Sequence, residues 1–144
     1  MFGFIKDFFS EKIPMFKNAK DARHLLYVHP LLAMVLFDMA HYCNSRNLPF
    51  KITSMIRTPM ENIKVGGKSL THPTGRAADI STKGFDVYQV AEFKKHFDEK
   101  YEDIAAISTI GRKQLVVYHT SGSGYHLHVQ IHAHYAIENA WVNL

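Results

Sequence analysis

The chain reads as an α+β domain: a small antiparallel sheet with flanking helices. Three features point there. Leu31, Leu32, Val35, Leu36, Met39 and Tyr42 recur at helical spacing. A second amphipathic stretch runs over 87–101. The last third breaks into short, strand-like runs separated by glycine-bearing connectors of hairpin length.

With 144 residues, 47% of them hydrophobic, the chain is long enough for one domain with a real core. Residues 1–28 read as a helical extension packed on the body, and 29–144 as the domain itself. In the extension, Phe2, Phe4, Phe8 and Phe9 suit a short amphipathic helix, Pro14 breaks it, and a second helical stretch follows over 19–27. Pro30 suits a helix first turn, and the helix it opens ends at Asn47-Leu-Pro49. Residues 50–54 read as a short strand. Residues 57–71 carry Pro59, Gly66 and Gly67 and read as an ordered loop with a helical turn near 61–64.

A second strand follows over 76–81, with Ala77 and Asp79 on one face and Arg76, Ala78 and Ile80 on the other. The helix over 87–101 offers Val87, Val90, Ala91, Phe93 and Phe97 for burial, with Lys94 and Lys95 on its solvated side. Strands are then expected over 104–110, 114–119 and 125–132. Gly111-Arg-Lys113 and Thr120-Ser-Gly-Ser-Gly124 join them.

Several function classes fall away on composition. No apolar run reaches the roughly 18–20 residues that span a bilayer, so stable membrane insertion is not expected. The first nine residues place Lys6 and Asp7 inside their apolar stretch and lack a small-residue cleavage site, unlike a signal peptide. Synthesis in the cytoplasm is the expectation. Cys43 is the single cysteine, which rules out an internal disulfide. A net charge of +4 gives mild attraction to polyanions, but there is no basic run and no nucleic-acid motif, so nucleic acid is not an expected partner. A monomer is expected.

The final strand carries the chemistry. Tyr125, Leu127, Val129 and Ile131 point one way, into a core, while His126, His128, Gln130 and His132 point the other. His72, Asp79 and one of these histidines make a ligand set of two imidazoles and a carboxylate. That set suits a catalytic zinc ion with three protein ligands and one open position. Gly75 permits the turn between His72 and Asp79, and Ala77 leaves room beside them. Either or both of His126 and His128 can reach an ion, but both together would close the site. His128 is therefore taken as the ligand and His126 left to water or substrate. Arg57 is the natural cation for a developing oxyanion or a substrate carboxylate. His119, at the end of the preceding strand, and His126 are the candidates to handle the proton.

The order and spacing of these motifs resemble a known family. Phe50-Lys-Ile-Thr-Ser-Met-Ile-Arg-Thr-Pro-Met-Glu-Asn62, Val65-Gly-Gly67, His72-Pro-Thr-Gly-Arg-Ala-Ala-Asp-Ile80 and Tyr125-His-Leu-His-Val129 are similar to motifs of the zinc D-alanyl-D-alanine peptidases. That group includes bacteriophage L-alanyl-D-glutamate endolysins and the hedgehog signalling domain. The resemblance covers roughly residues 29–134. It implies a hedgehog/DD-peptidase-like fold with the site on the antiparallel sheet, and His72, Asp79 and His128 as ligands of one zinc ion. It also implies Arg57 as the substrate-orienting arginine and His126 as the histidine beside the metal. Its substrates would be stem peptides of peptidoglycan, cut by a lytic or remodelling enzyme that reaches the wall by lysis or virion delivery. Two departures stand out. Leu70 replaces the serine expected two residues before His72, with Ser69 and Thr71 flanking it, and no acidic residue precedes His128 where many members keep a general base. The second departure supports an alternative: a zinc-binding pseudo-peptidase that acts in recognition.

Overall fold

Two helices and one face of a four-stranded antiparallel sheet share a single core, which leaves the sheet's other face to the polar residues. The computed structural model describes residues 15–119 and 124–144. The N-terminal amphipathic helix expected before Pro14 lies outside the described residues. Elements run in the order α1 (Ala19–Ala22), α2 (Pro30–Ser45), β1 (Ile52–Ser54), α3 (Pro59–Lys64), β2 (Ala77–Ser81), α4 (Val87–Lys100), β3 (Ala106–Ile107), β4 (Lys113–Gln114), β5 (Val116–His119) and β6 (His126–Gln130). The sheet order is β1-β2-β6-β5, and β3 pairs with β4 separately.

Local chemistry sets the helix starts. At α2, Pro30 occupies the first turn and the His29 ring accepts the Leu31 N–H at 3.1 Å. Thr58 and Glu61 form a reciprocal capping box at α3, as Asp86 and Gln89 do at α4. The stretch expected to be helical over 19–27 is one turn of α-helix followed by a 3-10 turn, Arg23–Leu26.

The core joins Leu32, Val35, Leu36 and Met39 of α2 and Phe93 and Phe97 of α4 to Ile52, Ala78, Ile80, Val116, Leu127 and Val129 of the sheet. Tyr42 meets Phe93 and Phe97 edge-on, with centroids 5.5 and 5.2 Å apart. Met15 and Val28 belong to the same core, and Phe16 bridges to Ile52. Cys43 is buried there, and burial pushes its thiol up to about 12, so it packs as a small hydrophobe. The α4 stripe is narrower than its sequence suggests. Val87 is 81% exposed and Ala91 is also exposed, because they lie off the face that carries Val90, Phe93 and Phe97.

The last third departs most from expectation. Instead of one strand over 104–110 there is a 3-10 turn, Glu102–Ile104, and then the two-residue β3. The strand expected over 114–119 divides at Leu115. Asp98 of α4 accepts the N–H groups of both Leu115 and Val116 through Oδ1 at 2.9 Å, so these donors are spent on a side chain where the chain passes from one sheet to the other. The final strand ends at Gln130, earlier than expected. His132 leaves the ladder because its Nδ1 accepts the His134 N–H at 2.9 Å and opens the 3-10 turn Ala133–Tyr135.

Asp98 is the tie between α4 and this crossing. Replacing it (Asp98→Ala) leaves two backbone donors without their charged acceptor and should destabilise the fold by about 2–4 kcal/mol in urea titration. A change within about 0.5 kcal/mol would show that water substitutes for the carboxylate.

Candidate metal centre

Strand register assembles the polar face. In the β2–β6 ladder Asp79 stands directly opposite His128, and Ser81 opposite His126. In the β5–β6 ladder Val117 pairs with His128 and His119 with His126. Antiparallel neighbours on one face lie close enough for their side chains to touch, so three histidines and an aspartate from three strands share one surface. An irregularity between β1 and β2 completes it. Ile52 pairs with Ile80 but Ser54 pairs with Asp79, so Thr53 is the extra residue of a bulge. The shift brings the end of β1 level with Asp79. Ser54 Oγ then accepts Arg57 Nε at 3.0 Å, and Arg57 Nη2 pairs with Asp79 Oδ2.

His72 arrives from the loop before β2. The turn after it needs Gly75, whose φ is +66° and where an added Cβ would lie 3.2 Å from the Tyr27 carbonyl. His72 is buried, and its Nδ1 donates to the Met55 carbonyl. A carbonyl only accepts, so the proton sits on Nδ1 and Nε2 presents a lone pair. That Nε2 is 3.2 Å from Asp79 Oδ1, yet it is not aligned for a hydrogen bond and has no such partner. His126 is set the same way. Its Nδ1 donates to the Gly124 carbonyl at 3.0 Å, and its Nε2 faces Asp79 Oδ1 at 3.7 Å. His128 Nδ1 is 2.9 Å from the same oxygen.

Asp79 Oδ1 is therefore ringed by ring nitrogens, two of them lone-pair bearers. Acceptors crowded in a buried place repel one another unless a cation or proton stands among them. One ligand atom each from His72, Asp79 and His128 lies within 4.8 Å of the others, a group able to hold a metal ion. The donor set of two imidazoles and one carboxylate fits zinc, and the buried lone pair of His72 is the ligand atom such an ion requires.

The electrostatics favour the ligand forms. Burial would raise the Asp79 carboxyl, but the hydrogen bond from His128 and the nearness of His72, with the charge of each ring when protonated, hold it well below the usual carboxylate range. Burial lowers His72 and keeps it neutral, against a weaker opposing pull from Asp79. His119 is also lowered, first by burial and then by His126 and His128; its ring centroid is 4.3 Å from that of His126 and 5.7 Å from that of His128.

All six residues singled out in the sequence line one cleft of about 880 Å³. Arg57 is committed in part to Asp79, a contact its sequence position does not announce. Sequence reasoning missed Met55, whose contribution is a backbone carbonyl, and Thr71, whose Oγ1 is 3.5 Å from His128 Nε2.

The family model described as Peptidase M15 matches residues 12–109. The chain belongs to the peptidase M15 family. No curated protein and no solved structure matches it. The matched stretch of this M15 peptidase domain contains Arg57, His72 and Asp79 and stops before β5 and β6. His119, His126 and His128 reach the site through strand pairing. The family is zinc-dependent, in keeping with the donor set.

The pH dependence of the metal-free protein follows from these shifts. His72 is lowered from 6.5, so the unfolded chain binds its proton more readily and stability falls as pH drops below that value. Asp79 is lowered from 3.8, so its contribution is present above that value and is lost as pH falls below it. Urea midpoints should decline in two stages, and His72→Gln should shrink the upper one, leaving the part that His119, lowered from the same value, contributes. An unchanged upper stage in that variant would mean that His72 titrates as it does in the open chain.

Proposed function

We propose that the chain is a zinc-dependent peptidase that hydrolyses peptide bonds of peptidoglycan stem peptides. The bond would be of D-alanyl-D-alanine carboxypeptidase or L-alanyl-D-glutamate endopeptidase type, as in a bacterial or phage wall-lytic enzyme. One observation carries this reading: the buried His72 Nε2, its lone pair fixed by the Met55 carbonyl, converges with His128 on Asp79. In this reading those three residues hold one zinc ion, which when bound supplies Lewis acidity towards a carbonyl and towards water.

The chain's own groups do the rest. His126 Nε2 carries the lone pair that faces the Asp79 cluster, so we assign it the proton of the attacking water and the return of that proton to the leaving amine. His119 stands behind it in the cross-strand pair and supports it. Arg57 has Nε on Ser54 and Nη2 on Asp79; its Nη1, without a hydrogen bond among the described residues, is left for a substrate carboxylate or the oxyanion. Lys17, Arg57 and Lys68 also line the cleft, and Asp79 is the one carboxylate among its described lining residues. That balance suits a substrate bearing carboxylates, as stem peptides do.

The same lack of a second carboxylate favours the alternative, zinc-dependent recognition without turnover. An assay on purified peptidoglycan separates the two. The expected result is release of new amino groups that stops on chelation and returns with zinc. His126→Ala should lower kcat by about 10²–10⁴-fold, and His119→Ala by about tenfold or less. Zinc-bound protein that releases nothing would favour recognition, and product release that survives removal of the metal would overturn the zinc mechanism.

A further inference from the structure

We propose that Thr71 is a positioning residue whose hydroxyl serves both neutral tautomers of His128, one in the metal-free site and the other once an ion is held. The inference rests on the reading of His128 as a ligand. In the structure, His128 Nδ1 lies 2.9 Å from Asp79 Oδ1. A carboxylate accepts only, so Nδ1 carries the proton and Nε2 is the acceptor. The group beside Nε2 is Thr71 Oγ1 at 3.5 Å, which in this state donates.

A cation taken up beside Asp79 requires a lone pair on the nitrogen that faces it. The imidazole stays neutral by giving up its Nδ1 proton to solvent and taking one on Nε2, so the count of protons on the ring is unchanged. Nε2–H then needs an acceptor. Thr71 Oγ1 becomes that acceptor by turning its own hydrogen towards Ser69 Oγ, which is 2.9 Å away and takes either role without penalty. Thr71 is 3% exposed, so water does not readily replace it, while Ser69 is exposed and links the chain of hydroxyls to solvent.

The two histidine ligands differ in this respect. His72 is held by the Met55 carbonyl, which accepts only, and so has one tautomer in both states. His128 is held by a hydroxyl, which permits two. One ligand is preset and the other adjusts as the ion arrives. Ser69 and Thr71 carry their hydroxyls on either side of Leu70, whose side chain is exposed.

The test uses the full chain, with zinc alone as the probe. Nitrogen-15 NMR of the imidazoles reads the tautomers with and without one equivalent of zinc, and competition with a chromophoric chelator reads the affinity. In the unsubstituted protein His128 should change from the Nδ1–H to the Nε2–H form on loading, while His72 keeps its proton on Nδ1. Thr71→Val keeps the branched shape but removes the hydroxyl. It should weaken zinc binding by about 10–100-fold, with Thr71→Ser recovering most of the loss. An unchanged His72 signal reports that the Thr71→Val protein keeps its site folded; if that signal is lost, the tautomers of the unsubstituted and Thr71→Ser proteins decide alone. Two results overturn the inference while leaving the metal reading intact: full affinity in Thr71→Val, or a zinc-loaded His128 that still carries its proton on Nδ1. Absence of zinc binding by the unsubstituted protein overturns both.

Discussion

Asp79 is a buried carboxylate that one guanidinium and three imidazoles approach together, and the cleft is organised around it. An isolated charge in such a place would be expensive, and its cost is offset only by partners held in good geometry. The register of β2 against β6 supplies His128 directly opposite, and the bulge at Thr53 brings Arg57 to the second oxygen. The loop that turns at Gly75 delivers His72 to the first. Removing any one of these would leave Asp79 short of a partner. For that reason the sheet's architecture and the chemistry of the site are one problem.

The partners of the partners matter equally. His72 and His126 each spend Nδ1 on a backbone carbonyl, which directs Nε2 lone pairs towards a carboxylate that can only accept. Neutral imidazoles set this way around an ionised carboxylate leave the buried His72 Nε2 without a donor. A divalent ion fills that place and converts mutual repulsion among acceptors into coordination. Membership of the peptidase M15 family rests on separate ground, the match over residues 12–109, which contains His72 and Asp79 and ends before His128.

Much of this was legible in the residues because periodicity reports faces. Alternation from Tyr125 to Ile131 places His126 and His128 on one side and Leu127 and Val129 on the other, and the core confirms the division from Leu127 onward; Tyr125, expected in the core, lies ahead of the strand and is exposed. The same rule put Asp79 opposite in sense to Ala78 and Ile80. What stayed hidden depends on contacts that no local pattern encodes. β2 lies beside β6 although α4 and three strands separate them in the chain. A bulge of one residue has no signature in Ile52-Thr-Ser54, so the engagement of Arg57 with Asp79 could not be anticipated. Asp98 resembles the partner of an ordinary i, i+4 pair with Lys94, and that pair exists, but its other oxygen divides a strand. The narrower buried stripe of α4 has the same origin, since neighbours decide which apolar residues on a helix find cover.

The most direct measurement is a crystal structure of the zinc-loaded protein with anomalous data collected across the zinc edge. A single strong anomalous peak is expected at bonding distance, about 2.0–2.2 Å, from one nitrogen each of His72 and His128 and from an oxygen of Asp79. Full zinc occupancy elsewhere, with these three side chains packed against one another and no ion between them, would contradict this expectation.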